Sequence, residues 1–380
     1  MVIAHAGPSN LTIPASRGGA IERRMLALAV AQVQAYGQKG ILYSVGEHTS
    51  VAEHEGVEIR YLKPSGRPGG RRAWFSWEVA KDIARVNPSI VHLHGRAEVA
   101  WLLRKMGVKS PIALACDNHL EPLARHALVA PLSRAAWSRF LRVEKCGICP
   151  VSEYCRSCWS TYWQIPVGQM RVVPNGVDLA HFSPSQGGGL EWRQRLGVRE
   201  QIVALYVGRI CTQKGSDLLI DAYRNLSGRI RNVALVMVGP PGQFGRSSPD
   251  PMLEELRRIG GIYVPPVSDQ DLPSLYCAAD FLVMPTRELE MFGMAAVEAQ
   301  ACGIPVLASD HGGLKETVPD GAGIRFLPND RQDLEEKWAR LAMDQELRRT
   351  LSKGARENAR SYGWNEVARQ YQEVYAELAS

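Results

Sequence analysis

Two doubly wound, Rossmann-like α/β domains facing each other across a cleft are what this sequence predicts. Three observations carry that expectation. A chain of 380 residues suits two domains of about 150–200 residues each. Short apolar runs alternate with helical segments through both halves. The turn-rich segment 175–189, Asn-Gly-Val-Asp-Leu-Ala-His-Phe-Ser-Pro-Ser-Gln-Gly-Gly-Gly, separates the two series. The expected bounds are 1–175 and 176–360, with 361–380 a helix that packs back toward the N-terminal domain. Domains of this kind bind ligands at the carboxyl ends of their strands, so a cleft between the two is the expected active site.

In the first half, strands are expected at 2–4, 41–45, 59–62, 90–94, 112–115, 147–151 and 171–173, with helices at 20–36 and 74–86 among those between them. The second series begins with strands at 202–207, 233–238, 261–264, 281–284 and 305–308. Its helices fall at 217–226, 253–259, 272–278 and 293–302, and 332–380 is helical in pattern. Residues 240–251, rich in proline, glycine and serine, form a long loop after a strand.

At 45% hydrophobic and 22% charged residues, the composition is that of an ordinary globular protein. No apolar run approaches the length of a membrane span. The N-terminus, Met-Val-Ile-Ala-His-Ala-Gly-Pro-Ser, reads as a core strand and lacks the segments of a signal peptide. The expected setting is cytoplasmic and reducing, with the eight cysteines as thiols. The net charge of +6 is modest but unevenly placed: residues 60–145 hold 16 Lys/Arg against six Asp/Glu. There Arg67, Arg71 and Arg72 adjoin Trp74, Phe75 and Trp77, while Arg134, Arg139 and Arg142 interleave with Trp137, Phe140 and Leu141. A solvated basic surface over aromatic core residues explains this. Peripheral contact with an anionic membrane is the second reading, and nucleic acid is not an expected partner.

The most informative stretch is 290–305, Glu-Met-Phe-Gly-Met-Ala-Ala-Val-Glu-Ala-Gln-Ala-Cys-Gly-Ile-Pro, set between two apolar runs. Strand, loop, helix, strand is the unit of a parallel sheet. Open backbone amides at a helix start bind anions, and a glycine there allows close approach. A carboxylate further along accepts from sugar or ribose hydroxyls. If Glu290 and Glu298 lay on one continuous helix, their Cα atoms would be roughly 12 Å apart. Paired glycosidase carboxylates sit about 5–9.5 Å apart, so the spacing leans away from hydrolysis. Val207-Gly208-Arg209-Ile-Cys-Thr-Gln-Lys214-Gly215 follows the first strand of the second half. Two cations beside a strand-to-helix loop are placed to neutralise a diphosphate.

Pro174-Asn-Gly-Val-Asp178, Gly208-Arg209 with Lys214-Gly215, Glu290-x7-Glu298, Cys302-Gly-Ile-Pro305 and Gly312-Gly313 with Glu316 occur in that order. The set resembles the large family-4 retaining glycosyltransferases, over nearly the whole chain from Arg17 to about Trp364. That resemblance implies the two-domain glycosyltransferase B architecture. The nucleotide sugar would be held mainly by the C-terminal domain and the acceptor by the N-terminal one. It implies that Arg209 and Lys214 contact the donor diphosphate and that Glu290 contacts the donor sugar. Backbone amides of Phe292, Gly293 and Met294 would bind sugar and phosphate, and Glu298 the ribose hydroxyls. Gly19 would bring backbone against the phosphate or acceptor, and His119 would lie near the donor sugar and reactive centre; His94 reads as structural.

The implied reaction is hexosyl transfer from a nucleoside-diphosphate sugar, UDP- or GDP-linked, to an acceptor hydroxyl with anomeric retention. No carboxylate is obviously placed as a covalent nucleophile, so a front-face route assisted by the leaving phosphate is expected. The acceptor is expected to be a bacterial glycan, a lipopolysaccharide or a lipid-linked sugar, with small molecules left open. No cofactor and no essential metal are expected. The chain departs from the family at Pro285-Thr286, five residues before Glu290 where four is usual, which leaves Glu288 as a weaker rival. It also carries Pro265-Pro266 where glycine is common.

Asp269-Gln-Asp271 sits where a helix begins, so the expectation is capping and not metal binding. Cys146-x2-Cys149-x5-Cys155-x2-Cys158 has a zinc-like spacing. Its first pair falls on a predicted strand, however, where residues three apart point to opposite faces. A nicotinamide-dependent oxidoreductase would need a Gly-x-Gly-x-x-Gly turn that neither half provides. A non-hydrolysing nucleotide-sugar epimerase of the same architecture is the closer alternative, and a non-catalytic binding protein a distant one.

Overall fold

The computed structural model describes residues 1–8, 11–14, 20–63, 70–117, 139–141, 146–242, 251–288 and 290–380. It resolves into two compact units, Met1–Gly176 with Trp364–Ser380, and Val177–Gly363.

The first unit is built on a seven-stranded sheet: β1 (Val2–Ala6), β2 (Lys39–Val45), β3 (Ser50–His54), β4 (Val57–Leu62), β5 (Ile90–His94), β6 (Ile112–Cys116) and β7 (Cys146–Pro150). The order across the sheet is β3-β4-β2-β1-β5-β6-β7. All pairings are parallel except β3 with β4, an antiparallel hairpin turning through Glu55 and Gly56, both at positive φ. The chain winds outward from β1 in one direction and then in the other, so the order reverses between β1 and β5. Helix α1 (Ala20–Tyr36), α2 (Gly70–Val86), α3 (Ala97–Lys105) and α4 (Glu153–Trp163) connect the strands. The C-terminal helix, here α13 (Trp364–Ala379), belongs to this unit and buries Val367, Tyr371, Val374 and Tyr375 against Ile3, Ile90 and Cys149. A Cβ on Gly176 would sit 2.3 Å from the Trp364 ring, so only glycine lets the chain pass beneath that indole.

In the second unit β8 (Ile202–Val207), β9 (Val233–Val238), β10 (Ile262–Val264), β11 (Phe281–Met284), β12 (Val306–Ser309) and β13 (Gly323–Phe326) form a parallel sheet in the order β10-β9-β8-β11-β12-β13. Both faces of this sheet are buried, and its strands alternate between two cores. Ala204, Tyr206, Leu235 and Met237 join one, packed under Trp338, while Val203, Leu205, Val236 and Val238 join the other. The helices are α5 (Gly189–Leu196), α6 (Ser216–Ser227), α7 (Pro251–Arg258), α8 (Leu272–Tyr276), α9 (Met294–Ala301), α10 (Leu314–Thr317), α11 (Arg331–Met343) and α12 (Gln345–Arg360). Here the strand order reverses between β8 and β11.

Several expectations are corrected. Residues 171–173 do not form a strand: Arg171 and Val173 each donate to β7, at 3.0 and 2.9 Å, before Pro174 stops the ladder. Strand β3 was not foreseen, because Ser50-Val-Ala-Glu-His54 is an exposed edge without an apolar period. Strand β13, Gly-Ile-Arg-Phe, was missed for want of an apolar run. Asp271 occupies the N-cap position of α8, but its carboxylate makes no capping bond; it accepts instead from the Ser268 hydroxyl at 2.6 Å. Cys146 and Cys149 lie on β7, and Cys155 and Cys158 on α4, all as thiols. The Cys155 thiol donates to Cys116 O, and burial pushes the Cys149 thiol up to about 12. Among the described helices none is long and apolar enough to cross a membrane.

Candidate functional site

Topology brings the two informative motifs of the second unit together. Gly208-Arg209 leaves the end of β8, and Glu290 to Gly293 follows β11, the strand paired beside it. The reversal of strand order between them opens a crevice at the carboxyl end of the sheet, where open α/β sheets bind ligands. Close backbone approaches hold the loops together. A Cβ on Gly215 would fall 1.8 Å from Pro285 O, and one on Gly239 would fall 2.0 Å from Gly208 O.

Lys214 closes a short 3₁₀ turn, Thr212–Lys214, that Gly215 ends in a left-handed conformation before α6 begins. Its ammonium donates to Glu290 Oε2 at 2.7 Å, joining residues 76 positions apart. Both side chains are partly exposed, 26% for Lys214 and 15% for Glu290, so the pair faces solvent and is open to a ligand. Tyr206 links Arg209 to the pair: its hydroxyl donates to Arg209 O, and its phenol feels the charges of both Glu290 and Arg209. Burial, the largest cause, drives the Tyr206 phenol far up, so it remains a neutral donor. The rival, Glu288, is exposed, and its amide donates to Gln213 O.

Glu290 and Glu298 do not share a helix. Gly293, at φ 97°, is the N-cap of α9 without a side-chain capping bond, so Glu290 stays in the preceding loop and Glu298 sits in the second turn. A Cβ on Gly293 would meet Leu314 Cδ2 at 2.7 Å. The loop is pinned from α10 and the turn before it: Gly313 N donates to Glu290 O at 2.8 Å and Thr317 Oγ1 to Phe292 O at 3.0 Å. Among the described residues no backbone carbonyl accepts from the amides of Phe292, Gly293 or Met294. An uncapped N-terminus with free N–H groups is an anion site, and the helix dipole adds to it. Glu298 accepts from Tyr276 OH at 2.9 Å. Burial first, then the charge of Glu298, holds that phenol protonated.

Arg209, Lys214, Glu290 and the amides of Phe292, Gly293 and Met294 thus belong to one crevice mouth, and Glu298 stands a turn further along α9. Gly19 and His119 lie outside the described residues. Sequence reasoning missed Tyr206 and Tyr276, which read as ordinary core aromatics, and the Gly313 and Thr317 clamp. Removing the phenol hydroxyl in Tyr276→Phe is expected to loosen Glu298 without unfolding the unit. Donor KM should rise by up to about tenfold with kcat little changed. An unchanged KM would mean that Glu298 needs no such support.

Comparison with known proteins bears on family and fold. The family "Glycosyl transferases group 1" matches residues 190–358, and "Glycosyltransferase Family 4" matches residues 18–181. A D-inositol 3-phosphate glycosyltransferase of Salinispora arenicola is 36% identical over 226 residues, covering 56% of this chain and 50% of that protein. One from Geodermatophilus obscurus is 39% identical over 204 residues, covering 51% and 44%. The chain spans about half the length of these curated relatives. Among solved structures, sucrose-phosphate synthase from Thermosynechococcus elongatus superposes with a TM-score of 0.78 at 22% identity, covering 100% of this chain and 99% of that one. HepE of Anabaena in complex with UDP gives 0.75 at 19% identity, covering 99% and 100%. At such identities the likeness speaks for the fold, which is glycosyltransferase B. With a family matched in each half and the motifs in their expected order, the chain belongs to the family-4 glycosyltransferases.

Proposed function

We propose that this chain transfers a hexosyl unit from a nucleoside-diphosphate sugar to an acceptor hydroxyl with retention at the anomeric carbon. The observation that carries the reading is the Lys214–Glu290 pair at 2.7 Å beside the uncapped start of α9. A cation, a carboxylate and free amides within one crevice suit a sugar joined to a diphosphate. Lys214 and Arg209 take the diphosphate charge, the amides at Gly293 take a phosphate oxygen, and Glu290 accepts from sugar hydroxyls. Glu298, held by Tyr276, accepts from the ribose. The bond from the anomeric carbon to the phosphate oxygen breaks as the bond to the acceptor oxygen forms on the same face. The departing phosphate oxygen receives the acceptor proton. The enzyme contributes positioning and charge stabilisation. By resemblance, Gly19 and His119 are the positions of the first unit to vary next.

UDP is the first base to test, since the Anabaena fold neighbour was solved with UDP and with UDP-glucose. The inositol phosphate glycosyltransferase relatives support a hydroxylated small molecule as one acceptor class. The basic, aromatic segment 60–145 supports a lipid-linked or glycan acceptor at an anionic membrane. The test is a thermal-shift panel with UDP, GDP, ADP and their sugars. A ligand at a hundred times its Kd stabilises the folded state by about 2.7 kcal/mol. One base series is expected to raise the melting temperature. Nucleotide release should then depend on an added acceptor, and a rearranged sugar in place of a transferred one would turn the reading to an epimerase. If no nucleoside diphosphate shifts the transition, the donor-site reading fails.

A further inference from the structure

We propose that His5, His92 and His94 bind a transition-metal ion of the zinc class inside the first unit, at the point where its strand order reverses. His5 and His92 are register partners on β1 and β5, and His94 lies two residues beyond His92. All three side chains therefore project from one face of the sheet. One ring nitrogen of each lies within 4.8 Å of the other two, and all three residues are buried. His5 Nδ1 is 3.4 Å from His94 Nε2. That is close to the separation of about 3.3 Å between neighbouring nitrogens on a tetrahedral ion with bonds of about 2.0–2.1 Å. The His92 ring stacks on His94 at 4.3 Å, and binding tilts it to close the remaining gap.

Two further observations point to a ligand. Among the described residues, His92 Nε2 is buried without a hydrogen-bond partner. Leaving such groups unpaired is costly in a core, and a metal satisfies an imidazole lone pair. The support that ligating histidines need is also present. His92 Nδ1 is 2.6 Å from Tyr375 OH on α13, and Gln32 Nε2 on α1 donates to the same oxygen at 2.9 Å. A second partner of this sort fixes ring orientation and leaves the other nitrogen for the ion. All three rings are buried, which favours the neutral imidazole whose lone pair a metal ion takes. Arg24 acts on His94 as a neighbouring cation, and Asp117 pairs with Arg24 at 3.0 Å. Neutral imidazoles suit zinc, copper or nickel better than magnesium or calcium. The ion would fasten β1 to β5 and, through Tyr375, to the C-terminal helix.

The experiment uses the full chain, stripped with a chelator, dialysed and titrated with Co²⁺ and then Zn²⁺. The expected result is one equivalent of cobalt with visible bands of a nitrogen site and no sulfur-to-cobalt charge transfer. Zinc should displace it and raise the melting temperature. His92→Gln is expected to abolish uptake; if it fails to fold, His5→Gln serves. The quadruple Cys146→Ser, Cys149→Ser, Cys155→Ser, Cys158→Ser variant should retain uptake. No uptake by the wild-type chain, thiolate charge transfer, or loss of binding in the cysteine variant overturns the proposal.

Discussion

Replacing Lys214 by alanine is expected to lower turnover about 10²–10³-fold, the usual loss for one preorganised group that stabilises developing charge. The fold should survive almost unchanged. Lys214 is partly exposed and its ammonium pairs with Glu290; pairs of this kind contribute only about 0–1 kcal/mol to stability. The loss is expected to exceed that of a missing cation alone. Without Lys214, Glu290 would present an unneutralised carboxylate beside an incoming diphosphate. Lys214→Ala with Glu290→Gln should therefore bind donor better than Lys214→Ala while remaining slow, a non-additive outcome expected of residues in direct contact. Lys214→Arg should recover part of the affinity and less of the rate, since a planar guanidinium does not occupy the place of a compact ammonium. Steady-state kinetics with the donor identified by thermal shift, read beside melting curves, checks all three. Near-normal kcat in Lys214→Ala would remove this residue from the reaction.

Much of this site was legible because the sheet supplies it. Runs such as Val-Ala-Leu-Val-Met-Val in β9 are buried on both faces and have no reading other than a core strand, so strand order and loop positions follow. Glycines carried the same kind of information: at 215 and 293 the backbone adopts conformations other residues resist. What the sequence could not show was partnership across distance. Lys214 and Glu290 stand 76 residues apart, and nothing local says that they meet. Nor does Tyr276, at the end of a short helix, announce that its hydroxyl supports Glu298. Local chemistry also misled. Asp271 stands at an N-cap yet bonds to Ser268, because a serine three residues earlier competes for its carboxylate. Of the histidines on β1 and β5 only His94 drew a reading, as structural, because the proximity of the three is a property of strand register.

Gly215→Ala is expected to be the most damaging single methyl addition tested at this site. Gly215 has φ +71°, and its Cβ would lie 1.8 Å from Pro285 O and 2.7 Å from Pro285 C. The obstacle is backbone immediately after β11, so no rotamer change relieves it; the β8 loop must move away. Left-handed strain costs about 1–2 kcal/mol and overpacking about 1–3 kcal/mol, together roughly 2–5 kcal/mol. At about 2–4 °C per kcal/mol for a domain of this size, the second unit's transition should fall by roughly 4–20 °C. The displacement would also part Lys214 from Glu290, so donor binding should be lost along with stability. Gly197→Ala separates the two contributions. Gly197 has nearly the same φ, +72°, but nothing within 4 Å of its Cβ position. It should show the backbone strain alone, a shift of a few degrees with donor affinity intact. If Gly215→Ala behaves like Gly197→Ala in both melting temperature and donor binding, the close approach of the β8 and β11 loops does not shape this site.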